Sequence, residues 1–272
     1  MAKWEMFGPR YPVIGVVHLP ALPGSPAHEL DLLAIRERVL RDAGALASGG
    51  VDGLILENFG DAPFHPRRVP PHTIAQMSVL GRAIRDRYSE MPLGVNVLRN
   101  DGPSALAIAS AIGAQFIRVN VYCGARVTDQ GLIEGEAHEI QRYRASLDPS
   151  IRVVADVDVK HSAPLGDYDL ATDVRDVVER GRADAIIISG TGTGAATDVS
   201  DMERAQDAAD GTVPVLIGSG VTLDNVATLM DRADGAIVGS VLKRDGIVQN
   251  DVDPERVREL MTTVQSRRDQ EV

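Results

Sequence analysis

The segment Ile151–Lys160 reads IRVVADVDVK, and its second half sets three ionisable side chains, Asp156, Asp158 and Lys160, among valines and an alanine. Successive side chains of an extended strand point to opposite faces. Val153, Ala155, Val157 and Val159 therefore share one face, and Val154, Asp156, Asp158 and Lys160 share the other. Burying an ion costs several kcal/mol unless it is closely matched, so a strand serving stability alone has no use for that second face. An ammonium tuned by neighbouring carboxylates gives up its proton for base or Schiff-base chemistry, and a charged one stabilises a developing oxyanion. The electrostatic role is the favoured one for Lys160. A structural ion pair with Asp158 is the noncatalytic alternative.

The same alternation applies to neighbouring runs. In FIRVN it sends Phe116, Arg118 and Asn120 away from Ile117, Val119 and Val121. In LGVNV it separates Asn96 from Leu93, Val95 and Val97. His18 ends the run VIGVVH and Glu57 ends GLILE. Together these residues supply a base (Asp158 or Glu57), charge stabilisers (Lys160 and Arg118) and groups that orient hydroxyls (Asn96 and Asn120). His18 is the proton carrier, because an imidazole titrates near neutrality. Asp156 and Asp158, with Glu57, also form an oxygen-donor set suited to optional magnesium. No cysteine cluster or HExxH spacing points to a transition metal. His161 falls on the outer parity, and His65 and His72 sit in a proline-rich loop.

A different chemistry is written near the other end of the chain. Three runs end in glycine-rich turns: Ser189, Gly190, Thr191 and Gly192 in SGTGTG; Gly218, Ser219 and Gly220 in GSGVT; Gly239 and Ser240 in GSVLK. Glycine lets backbone N–H groups approach an anion closely, and loops after the last two strands of a (β/α)8 barrel commonly hold phosphate. The SGTGTG run lacks the first-strand context of a dinucleotide fingerprint, so no nicotinamide cofactor is read from it.

Positioning these residues requires a parallel sheet. Eight short β-rich runs begin near Val13, Gly53, Leu93, Phe116, Ile151, Ala185, Val215 and Gly235. They alternate with helical patterns at about 30–48, 73–88, 102–112, 136–147, 169–180, 201–209, 222–232 and 253–268. This predicts a single-domain α/β (β/α)8 TIM barrel spanning 1–272, with an open doubly wound sheet as the alternative. Gly49, Gly50, Gly113 and Gly181 mark helix ends and Thr222 a helix start. The long connections Asn58–His72 and Asn120–Gly135 lie at the end of the barrel where sites form.

Composition narrows the partners. A formal net charge of -11, from 39 acidic and 28 basic side chains, repels phosphate backbones and argues against nucleic acid. No apolar run of about 18 residues is long enough to span a membrane. The one cysteine, Cys123, permits no internal disulfide, and Met1–Arg10 lack a signal-peptide core, which predicts a cytoplasmic protein. Barrels of this kind often associate through their outer helices, so a homo-oligomer is compatible.

With these residues in view, the chain resembles the BtpA family. The resemblance is carried by GVVHLPALPGSP at Gly15–Pro26, DGLILENFGDAPF at Asp52–Phe64 and GVNVLRND at Gly94–Asp101. It continues through FIRVNVYCGARVTDQGLIEG at Phe116–Gly135, DVDVKHSAPL at Asp156–Leu165 and the three glycine-rich turns. It implies a phosphate-binding barrel in a family whose cyanobacterial members are associated with photosystem I biogenesis and whose other relatives are linked to nucleosidase-like or sugar-metabolic roles. No reaction is carried over. The residues favour an enzyme acting on a small phosphorylated metabolite, a sugar phosphate or nucleotide-derived compound, with isomerisation, proton abstraction beside a carbonyl, carbon–carbon lysis and glycosidic cleavage all open. The alternative is a noncatalytic accessory factor built on an enzyme-like barrel.

Overall fold

The computed structural model describes residues 6–8, 10–159, 161–190 and 198–270. Its strands, in chain order, are β1 (Val13–His18), β2 (Gly53–Glu57), β3 (Leu93–Asn96), β4 (Phe116–Val119), β5 (Ala125–Thr128), β6 (Gly131–Glu134), β7 (Arg152–Asp158), β8 (Ser162–Pro164), β9 (Ala185–Ile188), β10 (Val215–Ile217) and β11 (Gly235–Val238). Its α-helices are α1 (Leu32–Gly49), α2 (Pro71–Arg87), α3 (Gly102–Ile112), α4 (Ala137–Leu147), α5 (Leu170–Arg175), α6 (Val199–Ala209), α7 (Val226–Met230) and α8 (Pro254–Gln270). The eight parallel strands β1, β2, β3, β4, β7, β9, β10 and β11 close a barrel, as the sequence pattern predicts. Closure is explicit at β1, which pairs with β2 on one side (Val16 with Ile55) and β11 on the other (Ile14 with Ile237). That pairing rules out the open sheet.

Alternation along these strands builds two separate cores. Ile14, Val16, Ile55, Phe116, Val154, Ile187, Leu216 and Ile237 fill the lumen. Phe7 closes its lower end, its ring edge-on to Phe116 with centroids 5.8 Å apart. Residues of the opposite parity, including Val153, Ala155, Ile117, Val119 and Val95, pack beneath the helices. Each such valine or isoleucine contributes about 1.5–3 kcal/mol when fully buried. Because the lumen is filled with apolar side chains in its lower part, polar groups are left to the C-terminal ends of the strands.

Helix ends follow their local chemistry. The Asp31 side chain caps α1 by accepting from the Ala34 N–H at 2.8 Å, and Gly50 ends that helix in the left-handed region at φ 94°. Gly113 does the same for α3 at φ 72°. α7 is shorter than its hydrophobic pattern suggests. Thr222 and Asn225 make a reciprocal turn before it, the Asn225 side chain accepting from Thr222 N–H at 2.7 Å.

Two features depart from the sequence reading. The connection after β4 is not a plain loop: β5 and β6 form a hairpin, and β8 adds to β5, giving an antiparallel sheet of order β6-β5-β8. Val121 and Val159 therefore pack with Ile133 of β6 rather than under helices. Second, the alternation in β7 shifts between Asp156 and Asp158, where the pairing with β9 is irregular. Among the described residues no helix is long and apolar enough to cross a membrane.

Candidate functional site

Strand ends from around the barrel line one cavity of about 360 Å³. One wall carries His18, Glu57, Arg99, Arg118 and Asn120. The other is made by Gly218, Ser219 and Gly220 after β10 and by Gly239 and Ser240 after β11. The walls touch. A side chain at Gly239 would place its first carbon 2.7 Å from the His18 ring, and one at Gly218 would lie 2.5 Å from Ser189 Oγ, against Ile187 and 3.4 Å from Arg118 Nη2. Only glycine leaves both loops this close to the ionisable side chains.

Each ionisable group is held by a neighbour. Asn96, the register partner of Glu57 on β3, donates from Nδ2 to Glu57 Oε2 at 2.7 Å. His18 Nε2 lies 3.8 Å from Glu57 Oε1, and its ring meets Phe59 edge-on at 4.9 Å between centroids. Arg118 grips Asp156 with two bonds, Nε to Oδ2 at 3.0 Å and Nη2 to Oδ1 at 2.8 Å. Asn120 adds a third, from Nδ2 to Asp156 Oδ2 at 2.8 Å. Burial alone pulls the Arg118 guanidinium down, but the facing Asp156 carboxylate outweighs it and holds the group above its ordinary value. Burial lowers Arg99, and the carboxylates of Asp156, Asp129 and Glu57 offset this only in part. A guanidinium nevertheless stays cationic.

The sequence-derived residues fall into three groups. His18, Glu57, Arg118, Asn120, Gly218, Ser219, Gly220, Gly239 and Ser240 meet at the cavity, and His161 joins them despite its expected outward parity. Asn96, Asp156, Ser189 and Gly190 stand behind its wall. Ser189 Oγ donates to Asp156 at 3.5 Å, and the Gly190 N–H donates to Ser219 Oγ at 2.9 Å. Asp158 does not line this cavity. The irregularity in β7 brings it instead to Arg126 of β5, with which it forms an ion pair. Lys160, Thr191 and Gly192 lie outside the described residues.

The three carboxylates considered for magnesium thus serve different partners: Glu57 serves Asn96, Asp156 serves Arg118, and Asp158 serves Arg126. Among the described residues no group of three or more His, Cys, Asp or Glu is arranged to hold a metal ion. Sequence reasoning missed Arg99 because it follows the end of β3, where strand alternation no longer fixes side-chain direction. Its only trace was its place in the VLRND run after a strand that ends in Asn96.

Comparison with known proteins follows the same lines. The BtpA family pattern matches residues 10–266. Photosystem I biogenesis protein BtpA of Synechocystis is 51% identical over 94% of this chain and 89% of the relative. An uncharacterized protein of Thermococcus kodakarensis is 49% identical, covering 93% and 94%. Among solved structures, a native KDPGal structure matches with a TM-score of 0.60 at 16% identity, covering 94% of this chain and 95% of the other. N-(5'-phosphoribosyl)anthranilate isomerase from Pyrococcus furiosus matches at 0.56 and 13%, covering 94% and 99%. At such identities the structural likeness speaks for the barrel alone. The family match extends over nearly the whole barrel, and the chain belongs to the BtpA family.

Proposed function

We propose that this barrel is an enzyme acting on a small phosphorylated metabolite, a sugar phosphate or nucleotide-derived compound. One observation carries the reading: the glycine turns after the last two barrel strands, the His18–Glu57 pair and two buried arginines, Arg99 and Arg118, line the same cavity. The phosphate sits against the turns at Gly218–Gly220 and Gly239–Ser240, where backbone N–H groups and Arg118 meet its charge. Glu57, fixed by Asn96, takes the proton, and His18 returns it to a neighbouring atom of the substrate. Arg99 and Arg118 stabilise the oxyanion that develops in between. This is the acid–base chemistry of an isomerase or lyase, and a cavity of about 360 Å³ suits a small ligand.

A thermal-shift series with inorganic phosphate and a panel of sugar phosphates tests the reading. A ligand at about 100 times its Kd adds about 2.7 kcal/mol, a Tm rise of roughly 5–10 °C. Ser219→Asp keeps an acceptor for the Gly190 N–H yet sets a negative charge against the phosphate, so the rise is expected to vanish in that variant. An undiminished rise in Ser219→Asp contradicts the assignment. A second reading, a noncatalytic accessory factor, draws on the name of the Synechocystis relative and on Val127, Leu132 and Leu165, which are exposed on or beside the antiparallel sheet. It predicts no response to any phosphorylated ligand.

A further inference from the structure

A second cavity, of about 230 Å³, lies beside the first beneath the antiparallel sheet. Asn120 belongs to the walls of both. Arg126 of β5 lines the second cavity, its side chain only 8% exposed. Its Nε donates to Ser162 Oγ at 3.0 Å, its Nη2 pairs with Asp158, and its guanidinium lies 5.5 Å from the centre of the Tyr168 ring. Its Nη1 is buried and has no hydrogen-bond partner among the described residues, and the same holds for Asn120 Oδ1. Leaving such groups unsatisfied is costly, so an acceptor for Arg126 Nη1 and a donor for Asn120 Oδ1, from water or from a ligand that displaces it, complete the walls.

The chemistry of such a ligand follows from the rest of the lining. Asp156, Asp167, Asp173 and Asp176 surround the cavity, and Asp158 already balances the Arg126 charge. A second anion is repelled. An ammonium offers no lone pair to Arg126 Nη1. A hydroxyl satisfies both demands, since its oxygen accepts from Nη1 while its proton goes to an Asn or Asp oxygen. We propose that the second cavity is a subsite for the uncharged, hydroxylated part of the ligand whose phosphate occupies the first. This rests on the phosphate reading above, and it names the other end of the same substrate as a polyol.

Cys123, the chain's single cysteine, lines the second cavity and makes a selective reporter. Burial pushes its thiol up to about 11, so alkylation by iodoacetamide should keep accelerating with pH toward that value. A plateau near the ordinary thiol value of about 8.5 would contradict this. With the full chain in mildly alkaline buffer, a mixture of erythritol, D-ribose and D-glucose should slow alkylation, by about tenfold when the bound polyol is at ten times its Kd. Inorganic phosphate should leave the rate unchanged, because it occupies the first cavity. Arg126→Lys keeps a cation beside Asp158 but removes Nη1, and in this variant protection should be lost while Tm stays close to that of the parent. No protection by polyols, equal protection in Arg126→Lys, or protection by propylamine or acetate instead would each overturn the subsite. Phosphate binding is read separately by thermal shift. Protection by polyols with no phosphate response would support the subsite and sink only the first-cavity reading.

Discussion

Replacing Asp42 with alanine is expected to destabilise the barrel by about 3–5 kcal/mol and lower its Tm by roughly 10 °C. Asp42 lies on the buried stripe of α1, among Ile35, Val39, Ala43 and Leu46. It receives a hydrogen bond from Lys243 Nζ at 2.7 Å, with the two side chains 2% and 1% exposed. Its second oxygen accepts from the Val252 N–H at 2.8 Å. One carboxylate therefore fastens both ends of the segment that follows β11 to the helix behind it. Without it a buried ammonium and a backbone donor are left uncompensated. The paired change Asp42→Leu with Lys243→Met removes both charges and should recover most of the loss, the remainder of about 1 kcal/mol reflecting the orphaned Val252 N–H. Thermal and denaturant unfolding of the three proteins checks this. A single variant as stable as the parent would show that the pair is not a fastening.

Arg118→Met should bring a comparable loss of about 3–5 kcal/mol, because it strips Asp156, a buried carboxylate, of two of its hydrogen bonds. Adding Asp156→Asn removes the stranded charge and should restore much of the stability. Ligand response should behave differently. The guanidinium also faces the turn at Gly218, so the double variant, though refolded, should remain insensitive to phosphate. Stability and binding are thereby separated within one pair of proteins. Recovery of the phosphate response together with stability would mean that Arg118 serves the fold alone.

Much of this arrangement was legible in the residues, for an identifiable reason. In a closed parallel barrel every strand is buried on both faces, so an Asn, Arg or Asp toward the C-terminal end of an apolar run reads as a mouth residue. That logic located Asn96, Arg118 and Asp156. It failed where regular pairing stops. At Asp158 the irregularity in β7 breaks the period of two, and the carboxylate goes to Arg126. Arg99 lies beyond the end of β3, where no period exists. The hairpin was unreadable because β5 and β6 are four residues each, with mixed polarity and exposed Val127 and Leu132. Asp42 carried a readable sign, an acid placed within the 35-39-42-46 stripe of a helix, but its partner lies 201 residues away and no local pattern pairs them.

Crystals grown or soaked with inorganic phosphate test the central claim most directly. The ion should be found within hydrogen-bond distance of backbone N–H groups in the turns at Gly218–Gly220 and Gly239–Ser240, on the side facing Arg118. A protein that is stabilised by phosphate yet carries the ion elsewhere, with water alone between those turns, would contradict the account.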